Sequence, residues 1–200
     1  MNAKLHPNGL PNSAATPFVS DVAELRKRAR QHIEEGAVTS DYAADRNAVV
    51  KMLNDALATE LVCVLRYRRH YFAADGLLAE AVKTEFLDHA KEEQEHADKI
   101  AERIVQLGGQ PDFDPAGLAS RSHSEYKAGT SLQDMIKEDL IAERIAIESY
   151  TEMVAFLEGR DATTRRMLES ILAVEEEHAE DMSSMLKNVN EFAVRTGKRP

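Results

Sequence analysis

The strongest constraint on this chain is a repeat of unlike residues at like spacing. Glu93-Gln94-Glu95-His96 and Glu175-Glu176-Glu177-His178 each place a Glu three residues before a His. Each follows a lone Glu with a Tyr seven residues on, Glu60 with Tyr67 and Glu143 with Tyr150. The step from Glu60 to Glu93 is 33 residues and that from Glu143 to Glu175 is 32. A chain that carries the same half twice, each half with two helical segments, is expected to fold as two helix pairs. Residues three apart share one face of a helix, so each Glu-x-x-His delivers carboxylate and imidazole together. The two halves supply four carboxylates and two imidazoles, the ligand set of a two-metal site.

Hydrophobic periodicity supports four long helices. The first, over 45–74, puts Leu53, Leu57, Glu60, Val64, Tyr67 and Tyr71 on one stripe and stops at Asp75-Gly76. The second, over 77–107, aligns Phe86, Ala90, Glu93, His96, Ile100 and Ile104, and Gly108-Gly109 closes it. The third, over 131–158, aligns Ile136, Leu140, Glu143, Ile147 and Tyr150, with Ser131 as N-cap. The fourth, over 162–194, aligns Leu168, Ile171, Glu175, His178, Met182 and Leu186. Tight turns make the first two antiparallel neighbours, and likewise the last two. Residues 110–130 join the pairs; 21 extended residues reach about 70 Å, whereas a helix of about 27 residues is about 40 Å long. The connector can cross the whole bundle, so the fold is an all-α four-helix bundle of two antiparallel pairs with a long crossover. Domain boundaries follow: 1–44 an N-terminal arm and short helix, 45–194 the bundle, 195–200 a tail. Residues 1–20, rich in Pro, Asn, Ser and Ala, read as a mobile arm, and a helix is expected from Asp21 to about Glu35, ended by Gly36.

The placement of the glutamates carries the chemistry. Glu60, Glu93, Glu143 and Glu175 fall on apolar stripes although the exposed faces already hold abundant charge. Burying an ionised carboxylate costs several kcal/mol per group, and four facing one another would not persist as bare anions. Two divalent cations balance four carboxylates, and neutral imidazoles add no charge. A single Glu-x-x-His in so acidic a chain arises readily by chance; two copies in matching context do not. Tyr67 and Tyr150 sit one helical step from the site, where they serve equally as hydrogen-bonding groups or as core residues. Asp139, one turn before Glu143, is a candidate to orient a ligating His. His70 and His89 are read as solvated helix-edge residues, with an auxiliary metal or entry site the sharper alternative. Cys63 is read as a small buried hydrophobe.

The formal net charge of −10 argues against a nucleic-acid binder driven by phosphate contacts. The cluster Arg26-Lys27-Arg28-Ala29-Arg30 is the one local exception, but residues 1–47 hold six basic and six acidic side chains, so DNA binding is not expected. With Cys63 the one cysteine, no disulfide framework or thiolate metal site can form within the chain. The N-terminal segment lacks the apolar core of a signal peptide and no apolar run is long enough for a membrane span. A cytoplasmic, membrane-free protein is the expectation.

These residues resemble the bacterioferritins. Leu53-Asn54-Asp55-Ala56-Leu57-Ala58-Thr59-Glu60 with Tyr67 and His70 resembles their first helix, and Glu93-Gln94-Glu95-His96-Ala97-Asp98 with Arg103-Ile104 and Gly108-Gly109 their second. Asp139-Leu140-Ile141-Ala142-Glu143 resembles the third, and Ile171-Leu172 through His178 the fourth. The resemblance covers about 47–192 and implies a ferritin-like bundle with a di-iron ferroxidase centre of two Fe per subunit. It implies Glu60 and Glu143 as terminal ligands, Glu93 and Glu175 as bridges, and His96 and His178 as one ligand per iron, with Tyr67 beside them. Manganese suits the same donors. The implied activity is oxidation of Fe²⁺ by O₂ or H₂O₂ coupled to iron storage in a hollow homo-oligomer. A non-storing di-iron oxygenase or peroxidase is the alternative, and rubrerythrins, whose iron–thiolate domain needs Cys pairs, are disfavoured. Gln94 stands where bacterioferritins carry a haem-ligating Met, so haem is not expected. The connector is longer than theirs, and 22 residues follow His178, little for the short fifth helix of 24-subunit shells. That favours a 12-subunit mini-ferritin similar to the Dps-like proteins with a bacterioferritin-type site within one subunit.

Overall fold

The computed structural model describes residues 18–76 and 78–197, and all regular structure among them is helical. Six α-helices follow in order: α1 Val22–Arg28, α2 Arg46–Ala73, α3 Ala79–Gln106, α4 Leu118–Arg121, α5 Leu132–Phe156 and α6 Ala162–Thr196. The four long ones form the bundle, with α2 paired to α3, α5 to α6, and the pairs meeting along α2–α5 and α3–α6.

Side-chain caps set the helix starts. Asp45 accepts from the Asn47 and Ala48 amides, Ser131 from Asp134 and Asp161 from Thr164, each satisfying donors that a first turn leaves open. The turns after α2 and α5 need left-handed backbone, which Gly76 (φ 99°) and Gly159 (φ 69°) adopt without strain. Alternate sides of the bundle then follow from contacts at matched depth. Tyr67 meets Glu143 and Tyr150 meets Glu60, so α2 and α5 run antiparallel. His96 meets Glu175 while His89 meets Asp181, so α3 and α6 do as well.

Two apolar clusters fill the interior. One packs Leu53, Leu57, Ile100, Ile104, Leu157, Leu168 and Ile171; the other packs Phe86, Ala90, Met135, Ile136 and Met182. Each buried Leu, Ile or Phe contributes about 1.5–3 kcal/mol. Along every long helix, the interval between the two clusters is occupied by a ligand-type residue: Glu60, Glu93 with His96, Glu143, and Glu175 with His178. The bundle therefore holds a polar waist clamped between two apolar ends.

The crossover does what its length allows. Its residues climb α2 in order: Asn54 bonds Gln110 O (3.2 Å) and the Asp112 amide (2.7 Å), Thr59 Oγ1 accepts from the His123 amide (3.0 Å), Arg66 reaches Ser124 Oγ (3.0 Å) and His70 reaches Ala128 O (3.1 Å). It also carries the short helix α4, absent from the sequence expectation. At the N-terminus α1 stops at Arg28 instead of near Glu35. No residue of α1 is buried, so tertiary packing does not extend a helix that isolated propensity leaves marginal. A 3-10 turn, Ile33–Glu35, follows and ends at Gly36. Residues 1–17 of the expected arm and 198–200 of the expected tail lie outside the described residues.

Candidate metal centre

All six residues singled out by the repeat meet at the waist. Glu60 and Glu93 are 1% exposed, Glu143 and Glu175 0%, and His96 and His178 2%. Their donor atoms fall into two sets, Glu60, Glu93, His96 and Glu175, and Glu93, Glu143, Glu175 and His178, each with ligand atoms within 4.8 Å of one another. Glu93 and Glu175 belong to both. This is the topology of two adjacent cations that share two carboxylates and keep one Glu and one His each.

Both imidazoles point the same nitrogen inward. His96 Nδ1 lies 2.9 Å from Glu175 Oε1, 3.3 Å from Glu93 Oε2 and 3.4 Å from Glu60 Oε2. His178 Nδ1 lies 3.5 Å from Glu93 Oε1, 3.5 Å from Glu175 Oε2 and 4.0 Å from Glu143 Oε2. Six of these buried atoms have no hydrogen-bond partner: Glu60 Oε2, Glu93 Oε1, Glu143 Oε2, both oxygens of Glu175 and His178 Nδ1. Buried polar groups are ordinarily satisfied, so a set of orphaned lone pairs aimed at common points fits cations. The donor set, hard carboxylates with imidazole, suits iron, manganese or zinc and gives no soft sulfur.

The outer atoms of the same residues are held. Tyr67 donates its hydroxyl to Glu143 Oε1, and Tyr150 donates to Glu60 Oε1. Each half's Tyr thus fixes the other half's lone Glu, which is the physical content of the seven-residue spacing. Glu92 Oε2 binds His178 Nε2 at 2.7 Å, a carboxylate that orients the ring and leaves Nδ1 for a ligand. Glu92 sits beside Glu93 on an exposed edge, and nothing in its sequence position singled it out.

Charge in the metal-free cluster is balanced by protons. Burial disfavours charged His96, but the facing carboxylates of Glu175, Glu60 and Glu93 outweigh it and raise its pKa to about 12. His178 is raised in the same way, against burial and by Glu175 and Glu93, to about 11. Glu60 is pushed up to about 8 by burial and then by the charge of Glu93. Burial, followed by Glu93 and Glu175, holds Glu143 well above the ordinary carboxylate range.

Other expectations need correction. His70 and His89 are not solvated edges; they are 0% and 3% exposed. Asp139 does not touch a ligand-type His: its oxygens bind Arg66 Nε and His70 Nδ1, both at 2.8 Å. Arg66 itself is fully buried. The available signal was a second stripe on α2, since Thr59, Cys63, Arg66 and His70 follow helical spacing and all are buried. Cys63 is buried, as expected, and accepts from Arg66 Nη2 at 3.4 Å. In the basic cluster, Arg28 pairs with Asp41 and Lys27 with Glu24.

The comparisons with known proteins agree with this fold. The model of the Ferritin family, a ferritin-like domain, matches residues 50–192. The chain is 30% identical to the bacterioferritin of Desulfovibrio desulfuricans over 74% of its length and 81% of that protein's. It is 31% identical to the nutrient stress-induced DNA-binding protein of a Synechococcus species, over 67% of this chain and 78% of that one. Among solved structures, a dodecameric thioferritin, the bacterioferritin-related protein of Bacteroides fragilis, superposes with a TM-score of 0.73 at 31% identity, over 76% of this chain and 92% of the other. No helix of the described residues is long and apolar enough to cross a membrane. The chain belongs to the ferritin-like family, with bacterioferritins and Dps proteins as its homologues.

Proposed function

We propose that the protein is a ferroxidase whose Fe²⁺ substrate binds as a pair at Glu60, Glu93, His96, Glu143, Glu175 and His178, and that oxidation is coupled to iron storage or detoxification in a hollow homo-oligomer. The observation that carries this is the pair of overlapping ligand sets with six unsatisfied buried donor atoms. Two ferrous ions at these sets would each supply one electron to O₂ or H₂O₂. The carboxylates favour the ferric product, because hard anionic oxygens stabilise the higher charge. Glu93 and Glu175 hold the two ions together. Tyr67 and Tyr150 keep Glu143 and Glu60 in place, and Glu92 fixes the His178 tautomer. A shell of twelve subunits is the preferred assembly, by similarity to the dodecameric Bacteroides protein. Haem plays no part in the proposal, and the cytoplasm is the proposed compartment. The net charge of −10 and the pairing of Arg28 and Lys27 with acidic neighbours speak against DNA as a partner; a gel shift at physiological salt would reveal one.

The test is aerobic loading of the metal-free protein with Fe²⁺ in steps, followed by size separation and an iron count. Uptake far beyond two irons per chain in a large assembly is expected. Saturation at two would assign the protein to the non-storing di-iron oxygenases or peroxidases. Glu93→Ala, which removes a carboxylate common to both sets, should abolish rapid Fe²⁺ oxidation while the bundle stays helical. Unchanged oxidation kinetics in that variant would refute the site.

A further inference from the structure

The two halves of the bundle match at the waist but not beside it. One turn before Glu93 stands His89, and the position before Glu175 is Ile171. Likewise Glu85 and Glu92 correspond to Met167 and Val174, and Asp181 to Lys99. The fold therefore packs an apolar residue at one of these equivalent places and an imidazole at the other, so packing alone does not require His89.

His89 is 3% exposed. Nδ1 lies 3.2 Å from the Tyr67 hydroxyl. That hydroxyl donates to Glu143, so it accepts from His89 and the His89 proton sits on Nδ1. The lone pair then resides on Nε2. Nε2 faces Asp181 Oδ2 at 3.7 Å and Glu85 Oε2 at 4.0 Å, both beyond hydrogen-bond reach. The ring is stacked on His178 with centroids 3.9 Å apart, which fixes its direction. A lone pair and two carboxylates facing one another, with no proton donor among them, lack a positive charge at their centre.

We propose that Glu85, His89 and Asp181 form a third cation site, separate from the paired one, for a single divalent transition-metal ion. The three donor atoms all lie within 4.8 Å of one another. Ions bound at about 2.0–2.2 Å by nitrogen and oxygen draw such donors together by a few tenths of an ångström. Glu85 and Asp181 have side chains 46% and 55% exposed, so they adjust freely, and water completes the coordination. Asp181 also borders the open groove between α5 and α6, which gives the ion a path from solvent. The imidazole makes this a transition-metal site instead of a calcium or magnesium site. Metal at Nε2 and a proton at Nδ1 are compatible, so a bound ion leaves the Tyr67–Glu143 contact intact.

The probe is Co²⁺, which does not turn over with O₂ as Fe²⁺ does. Crystals of the full chain soaked in Co²⁺ should show an anomalous peak between His89 Nε2 and the carboxylates of Glu85 and Asp181. In solution, Glu85→Gln/Asp181→Asn should bind one Co²⁺ fewer per chain than the parent. The peak should persist in Glu93→Ala, which separates this site from the fate of the paired one. Absence of the peak in the parent, an unchanged count in the double variant, or loss of the peak in Glu93→Ala would each overturn the proposal. The first of these would leave His89 as a buried neutral ring beside two exposed carboxylates.

Discussion

Tyr67 and Tyr150 show how single atoms decide the shape of the waist. Each phenol buries its ring in the core and spends its one proton on a carboxylate of the opposite helix pair. Burial and the charge of the neighbouring glutamate hold both hydroxyls well above their ordinary pKa, so they remain donors at any working pH. Tyr67→Phe leaves Glu143 Oε1 without its donor and should lower metal-free stability by about 1–3 kcal/mol, read from a denaturant midpoint. A second residue, Asp161, gathers bonds from the Thr164 amide (2.9 Å), Thr164 Oγ1 (2.5 Å), Tyr42 Oη (2.7 Å) and Arg103 Nη2 (3.1 Å). Burial raises its pKa, but Thr164, Tyr42 and Arg103 outweigh that and depress it below the ordinary value. A depressed folded pKa means its stabilisation is complete above the unfolded-state value, about 3.9, and is lost as pH falls through the folded one. Asp161→Asn should therefore cost about 1–3 kcal/mol at neutral pH and flatten the acid limb of the stability–pH curve. An unaltered acid limb would show that other carboxylates govern it.

At the scale of elements, the crossover and α2 act as one unit. Arg66 and Asp139 form an ion pair with both side chains 0% exposed; Ser124, Glu125 O and Cys63 accept further bonds from Arg66, and His70 meets Asp139. Breaking such a pair by removing one partner strands a buried charge and costs about 3–5 kcal/mol, whereas replacing both by apolar residues is often neutral. Arg66→Ala is expected to destabilise by that amount, and Arg66→Met/Asp139→Leu to recover most of it; equal losses in both would mean that the pair's charges are not what matters. The same unit marks the limit of what the chain discloses in advance. The four long helices are legible because their apolar residues recur at helical spacing, and the candidate ligands are legible because carboxylates interrupt that recurrence twice in the same way. The crossover is not, since its anchors include the backbone oxygens of Gln110, Glu125 and Ala128, which have no sequence signature. Without them, His70 looks like the solvated edge of a helix; His89 is misread for another reason, since its cover is the packing of α6, through His178, and of Tyr67. Glu92 illustrates a third cause: its role depends on which way His178 turns, and that is settled only when α6 packs on α3.

For the whole molecule, the two helix pairs repeat the same ligand pattern and meet at Glu93 and Glu175, the residues both ligand sets share. Such repetition explains why a doubled half suffices to build a two-ion site, and it also places four carboxylates where the apolar ends cannot solvate them. Without metal, that charge is offset by protons on His96, His178, Glu60 and Glu143, whose pKa values are all raised. Ligands must be deprotonated to bind a metal ion, so occupancy has to expel these protons to solvent. Anaerobic addition of Fe²⁺ at pH 7 should release more than one proton per chain, measured by pH-stat titration. The sign for pH follows: groups with raised pKa values hold their protons more firmly as pH falls, so the apparent affinity drops about tenfold per pH unit for each proton displaced. Because metal binds only the folded waist, occupancy should also raise the unfolding free energy by about 2.7 kcal/mol at a hundredfold excess over Kd, and a chelator should reverse it. Glu93→Ala should lose both the proton release and the stabilisation together. If it lost neither, iron would be binding away from the waist, and the doubled motif would be structural.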